Sequence, residues 1–367
     1  MTTLSSLLAQ TSFSDADIVT LLGLKDPDDI AALREAAYSL TTVEVGDTVH
    51  YRGLVEVSNI CALDCHYCGI RRGNRDIERS CLTKDDVVDA ALWSAESGYG
   101  SCVLQAGERR DEGFIAFIES CVAEIKERSV SQQLPHGLGI TLSLGEQTLE
   151  TYRRWKAAGA HRYLLRIESS NPETFGRIHP PTQRFETRVA ALADLGQAGY
   201  QVGTGVMIGL PGQTLADLAA DIRFYASCDI DMIGMGPYIV ASGNSMLDVG
   251  MMDPQALLGL SLRMIAVTRL VLHDVNIAST TALEALATDG RAQGIAFGAN
   301  VAMPNLTPRE VRQNYQLYQG KPGLDQAPAQ QQSGLERSVE AGGRRVGWNS
   351  WGDPRHFGRR TAANSSG

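Results

Sequence analysis

Leu54-Val-Glu-Val-Ser-Asn-Ile60 runs directly into Cys61-Ala-Leu-Asp-Cys65-His-Tyr-Cys68. The first seven residues read as a strand, being mostly apolar and β-branched. The next eight hold three cysteines spaced C-x3-C-x2-C, a thiolate density that points to a metal centre. A closed structural zinc or iron–sulfur site takes four protein ligands, so a site one ligand short leaves a metal position open. A zinc knuckle missing a ligand, or three unrelated core cysteines, would give the same letters.

Outward from this stretch, strand and helix signals alternate as in a parallel α/β sheet. Strand-like runs fall at 54–60, 101–107, 137–144, 161–168, 201–209, 232–239, 275–281 and 299–304. Helical patterns fill 84–97, 113–128, 146–158, 184–197, 215–226, 254–273, 283–296 and 308–318. Eight β-then-α units predict an α/β fold, a complete TIM-type (β/α)8 barrel. Residues 1–50 read as an N-terminal helical extension, with two short helices starting near Ser14 and Asp26. The barrel then occupies 51–321, and 322–367 form a linker and an irregular C-terminal tail. Within the tail, 322–344 are polar and read as mobile, while Gly347-Trp-Asn-Ser-Trp-Gly352 is placed back against the barrel.

In such a barrel the chemistry sits at the C-terminal strand ends. The second strand ends in Gln105-Ala-Gly107-Glu108, a glycine that lets backbone approach a ligand beside a carboxylate that can accept from an ammonium. The third ends in Thr141-Leu-Ser143-Leu-Gly145, with its polar residues on one face. In the fourth, Arg162, Leu164, Arg166 and Glu168 share a parity. Charges there are costly unless paired or liganded, and arginine suits carboxylates. Arg188 opens the following helix as a further candidate for an anion site. The fifth ends in the glycine-rich run Gly203 to Gly212, which lacks the Lys-Ser/Thr of a Walker loop. Later ends bring Tyr238, Ser279-Thr280-Thr281 and Met303-Pro-Asn305, with Tyr315 and Tyr318 beyond.

The chain has 367 residues, net charge −9 and 43% hydrophobic composition, with no basic block, so nucleic acid is not expected as a partner. No apolar run reads as a membrane span, and the N-terminus lacks the features of a signal peptide. Seven cysteines, three of them clustered, argue against a disulfide framework and for a cytoplasmic protein.

The cysteine loop with Tyr67 resembles that of the radical S-adenosylmethionine (SAM) enzymes, of the biotin synthase-like group. More specifically, the stretches Cys61 to Arg72, Val103 to Glu108, Leu142 to Glu146, Arg162 to Arg166, Met207 to Thr214, Gly234 to Tyr238, Ser279 to Ala282 and Gly298 to Pro308 resemble the HydE family of [FeFe]-hydrogenase H-cluster maturases. The likeness covers roughly residues 45–321. It implies a radical SAM barrel in which Cys61, Cys65 and Cys68 hold one [4Fe-4S] cluster whose fourth iron is chelated by SAM. It implies that Tyr67, Gln105, Gly107, Glu108, Ser143, Glu168, Arg188, Met207, Gly209 and Tyr318 lie near SAM. Arg162 and Arg166, with Thr280, Thr281 and Met303, would meet the substrate. Some members carry three further cysteines after the barrel for an accessory cluster; residues 319–367 have none, so no second cluster is expected. A His-Glu-Thr run common in the family is here Ile167-Glu168-Ser169.

The implied activity is reductive cleavage of SAM to a 5′-deoxyadenosyl radical that acts on a cysteine-derived, sulfur-containing, iron-bound small substrate during H-cluster assembly. The electron would come from a flavodoxin or ferredoxin, and the other hydrogenase maturases are candidate partners. Two alternatives stay open on the sequence: another biotin synthase-like radical SAM enzyme such as methylornithine synthase, and a non-catalytic iron–sulfur carrier.

Overall fold

Eleven parallel-pairing strands organise the computed structural model, which describes residues 3–365 except Ser242 and Asn244. They are β1 (Thr48–Ser58), β2 (Ser101–Ala106), β3 (Gly139–Ser143), β4 (Arg162–Leu164), β5 (Gln201–Thr204), β6 (Met207–Ile208), β7 (Met232–Ile233), β8 (Gly236–Pro237), β9 (Asn276–Ser279), β10 (Val301–Ala302) and β11 (Arg345–Val346). Eight of them close a barrel in the order β1-β2-β3-β4-β5-β7-β9-β10, and β10 pairs back onto β1. The short pair β6–β8 continues β5 and β7 toward the C-terminal mouth.

Helices follow the strands as the apolar periodicity predicts. Thr83 and Thr214 open two of them with capping boxes to Asp86 and Asp217, each satisfying orphan N–H groups at the start of a helix. On β1, Val49, Tyr51, Val55 and Val57 are buried in the main apolar core, while Arg52, Leu54 and Glu56 line the interior cavities. That alternation follows from the two-residue period of a strand.

The helices at Asp15–Leu22 and Pro27–Glu44 start after Ser14 and Asp26, as read. They pack on Pro254–Leu272. That helix corrects one reading: with 19 residues and a mean hydropathy of 1.5 it is long and apolar enough to cross a membrane. Most of that window is buried in this fold. The 283–296 pattern is split into Thr281–Leu286 and Gly290–Ala296. Of 308–318 only Arg309–Arg312 is helical.

The linker reading of 322–344 is corrected too. Pro328–Ala341 is a helix, because Gln331, Leu335 and Val339 recur every four residues and bury one narrow stripe in an otherwise polar segment. Beyond it β11 pairs with β1, and Trp348 stacks against Tyr99 with ring centroids 6.3 Å apart. Trp351 lies 4.5 Å from the His161 ring. Residues 348–353 thus seal the N-terminal end of the barrel, and the helix Arg355–Ser365 follows.

Candidate active site

The loop that leaves β1 is held by its own polar residues. Arg79 donates to the carbonyls of Asn59, Ile70, Arg71 and Asn74 at 2.6–3.0 Å. Asn59 donates to Glu78 O at 2.7 Å and Asn314 O at 2.6 Å. Arg71 pairs with Asp64 at 2.9 Å. These bonds fix the backbone of a loop that has no helix or strand of its own. His66 N–H reaches Ile178 O at 2.9 Å, and Tyr67 Oη sits 3.4 Å from His179 Nε2.

Cys61, Cys65 and Cys68 converge at this loop. Burial, then the neighbouring Cys68 and Cys61, pushes the Cys65 thiol well up; burial, then Cys61, pushes Cys68 up to about 12. Bare thiolates are therefore disfavoured, and the positive charge of bound iron would offset that cost. Among the described residues no group of three or more His, Cys, Asp or Glu is placed to hold a single metal ion. Thiols that each ligate a different iron of a cluster do not need to meet at one point.

The three thiols border a cavity of about 310 Å³ inside the upper barrel, within the range of small-molecule sites. Gly107 makes the join close: a Cβ there would lie 2.5 Å from Ile60 O and 2.7 Å from Cys61 Cβ. The strand β2 can pass the cysteine loop only with hydrogen at that position.

Next to the thiols lies a network of four charges. Glu108 Oε2 accepts the Glu146 N–H at 2.9 Å, and Arg110 donates to Glu108 Oε1 at 2.7 Å. Arg188 Nε donates to Glu146 Oε1 at 2.6 Å. Burial raises the Glu108 carboxyl above its usual range, opposed by the Glu146 N–H and Arg110. Gly145 has φ of +75°, and a Cβ there would strike the Glu108 side chain at 2.4 Å.

On β4's extension, Arg166 pairs with Glu168 at 2.9 Å and donates to Val206 O at 3.0 Å. Glu168 adopts a left-handed φ of 64°, a conformation that costs a non-glycine residue about 1–2 kcal/mol. Its N–H to Gly205 O and its carbonyl from Met207 N–H, both 3.0 Å, hold it there. Burial raises the Glu168 carboxyl, against Arg166 and Arg188.

The cavity lining brings together Cys61, Cys65, Tyr67, Cys68, Gln105, Gly107, Glu108, Ser143, Arg166, Glu168, Arg188, Met207, Thr280, Thr281, Met303 and Tyr318. Two predicted residues are elsewhere. Arg162 lies at the barrel floor, fully buried, bonded to Asp353, Trp351 O and Thr141 Oγ1. It sits at the start of β4, so its parity was read correctly and its height was not. Gly209 is off the lining; its N–H bonds Gln213 Oε1 at 2.8 Å. Sequence reasoning also passed over Glu56 and Lys321, a buried ion pair in the cavity wall. A lone Glu inside the apolar run 54–57 was the available signal.

Residues 55–225 match the model of the radical SAM superfamily. The [FeFe] hydrogenase maturase subunit HydE of Thermotoga maritima is 39% identical over 315 residues, 86% of each chain. The chain belongs to the HydE family. Biotin synthase 1 of Corynebacterium diphtheriae is 28% identical over 76% of this chain and 77% of its own. The crystal structure of methylornithine synthase (PylB) superposes with a TM-score of 0.77 over 94% of this chain and 97% of that one, at 20% identity, which bears on the fold alone. This HydE-family protein is a radical SAM enzyme, and the superfamily implies a [4Fe-4S] cluster and SAM. The residues present fit both: three thiols on one loop, Cys65 buried and Cys61 and Cys68 half-buried, a close-packed glycine beside them, and a cavity opening from them.

Proposed function

We propose that this HydE-family protein acts in assembly of the [FeFe]-hydrogenase H-cluster, in the cytoplasm. Its substrate is a cysteine-derived, sulfur-containing small molecule carried on iron. A flavodoxin or ferredoxin provides the electron, and the other hydrogenase maturases are its partners. The observation that carries this is the single cavity joining the cysteine loop at one end to Thr280, Thr281, Met303 and Tyr318 at the other.

When bound, one [4Fe-4S] cluster with SAM supplies a 5′-deoxyadenosyl radical and methionine. Cys61, Cys65 and Cys68 would hold the cluster. Glu108, which already accepts one backbone N–H, has the chemistry to accept from the SAM ammonium. Arg188 and Glu146 hold Glu108 in place, which favours a fixed SAM orientation. Ser143, Gln105, Glu168 and Met207 complete that wall. The buried walls exclude water, which protects a reactive intermediate from side reactions. At the other end Arg166 and Thr280 offer donors to a substrate anion: Arg166 Nε and Thr280 Oγ1 are buried with no hydrogen-bond partner among the described residues.

The test is anaerobic reconstitution followed by EPR of the reduced protein with and without SAM, beside Cys65→Ala. The expected result is about four irons per chain, a signal that shifts with SAM, and loss of both in Cys65→Ala. A SAM-insensitive signal, with no 5′-deoxyadenosine formed, would make the protein an iron–sulfur carrier instead.

A further inference from the structure

Lys321 and Glu56 form a buried ion pair in the wall of the cavity, with Lys321 8% and Glu56 4% exposed. Glu56 comes from β1 and Lys321 from the segment after the last barrel helix. Neither belongs to the network around the cysteine loop. A buried ion pair is poor value for stability alone, because desolvation offsets the attraction and an apolar pair of equal volume does as well.

Each Glu56 carboxylate oxygen has a donor on the chain: one accepts Lys321 Nζ and the other accepts Asn305 Nδ2 at 3.0 Å. An ammonium has three N–H donors. Among the described residues two of them find acceptors, Glu56 Oε1 and Tyr315 O, the latter at 2.8 Å. The Tyr315 ring, 5.3 Å from Nζ, holds the stem further. One donor of an immobilised cation is left on a side chain that lines the cavity.

We propose that Lys321 is a substrate-binding residue: its remaining N–H receives the carboxylate of an amino-acid-type substrate, with Glu56 as the positioning residue that fixes the ammonium. This rests on the reading that the cavity takes a cysteine-derived molecule. It adds a determinant of substrate class, a free carboxylate, supplied by a residue outside the recognised motifs.

The experiment measures anaerobic binding of L-cysteine and of L-cysteine methyl ester to the reconstituted, SAM-loaded protein by calorimetry. The variants are Lys321→Met and the double variant Glu56→Gln/Lys321→Met, which leaves no buried carboxylate stranded. Lys321→Met is expected to weaken L-cysteine binding at least about tenfold, as one charged hydrogen bond is worth, and to leave the ester unchanged. The double variant should regain wild-type thermal stability but not L-cysteine affinity. Recovery of L-cysteine affinity in the double variant, or equal losses for acid and ester, would overturn the proposal and leave the pair a structural one. So would failure of the wild-type protein to bind L-cysteine while its EPR signal still shifts with SAM. Loss of that shift in the wild type would instead sink the radical SAM assignment of the cavity.

Discussion

Arg162 Nη1 and Asp353 Oδ1 lie 2.6 Å apart across the barrel floor, joining β4 to a tail residue 191 positions later. Arg162 is fully buried, whereas the Asp353 side chain is 40% exposed. Removing one partner of a fully buried pair costs about 3–5 kcal/mol; with water able to reach the Asp353 side, we expect about 2–3 kcal/mol for Asp353→Ala. Urea unfolding midpoints would measure it, with Asp89→Ala, whose exposed pair with Arg128 spans 3.8 Å, expected to change by under about 0.5 kcal/mol. Equal effects of the two substitutions would remove the floor's claim to special weight. Burial alone would raise the Asp353 carboxyl, but the His161 hydrogen bond and the Arg162 guanidinium hold it far below the usual range. Its contribution is therefore present above about pH 4 and is lost as pH falls further.

That contact also marks where the sequence was legible and where it was not. The barrel was readable because each strand carries a two-residue period and each helix an apolar face, both local signals. The strand-end residues were readable because chemistry in this fold collects at one end. Parity placed Arg162 inside, but nothing local tells the floor of a three-residue strand from its mouth. Asp353 and Lys321 could not be seen as site or floor residues, since their partners are set by the path of the tail. The helix Pro328–Ala341 was missed because one buried residue per turn in a polar segment gives little periodic signal.

Gly107→Ala is expected to unseat the cluster loop without unfolding the barrel. The new methyl would lie 2.5 Å from Ile60 O, so either β2 or the loop must shift, at about 1–3 kcal/mol of overpacking. The loop lacks regular structure and should move first. Iron content after reconstitution should fall to less than about half while circular dichroism is retained. Full iron loading would show that the loop tolerates the displacement.

Glu108→Gln probes a carboxylate that lines the cavity beside the cysteine loop. An amide keeps the volume and one oxygen for the Glu146 N–H, 2.9 Å away in the parent, but removes the negative charge offered to an ammonium. SAM affinity should fall about tenfold or more, read by the SAM concentration that saturates the EPR shift. The melting temperature should change little, because burial already raises this carboxyl and the charge is costly to keep. Unchanged SAM affinity with altered stability would make Glu108 a purely structural partner of Arg110.

His356 ties the C-terminal helix down in a way that depends on pH. Its Nε2 meets Asp229 at 2.7 Å and its Nδ1 meets Asp274 at 3.2 Å, and both nitrogens can donate only in the imidazolium. Hydrogen bonding to Asp274, then to Asp229, accordingly raises its pKa above the usual value. Around it, Arg359 pairs with Asp274 and Glu44, and Arg360 with Asp229 and Asp231. A raised histidine contributes fully below its unfolded value near pH 6.5 and loses that contribution as pH rises through the folded value. Buried Asp231, pushed up to about 6, has its pH dependence below that window: its contribution falls between about pH 4 and pH 6 and is level above it. Hydrogen-exchange protection of residues 355–365, corrected for the intrinsic rate, should therefore decline as pH rises above about 6.5, and in His356→Gln it should start lower and vary less. Protection that grows with pH would show that the arginine pairs, rather than the imidazolium, hold the helix in place.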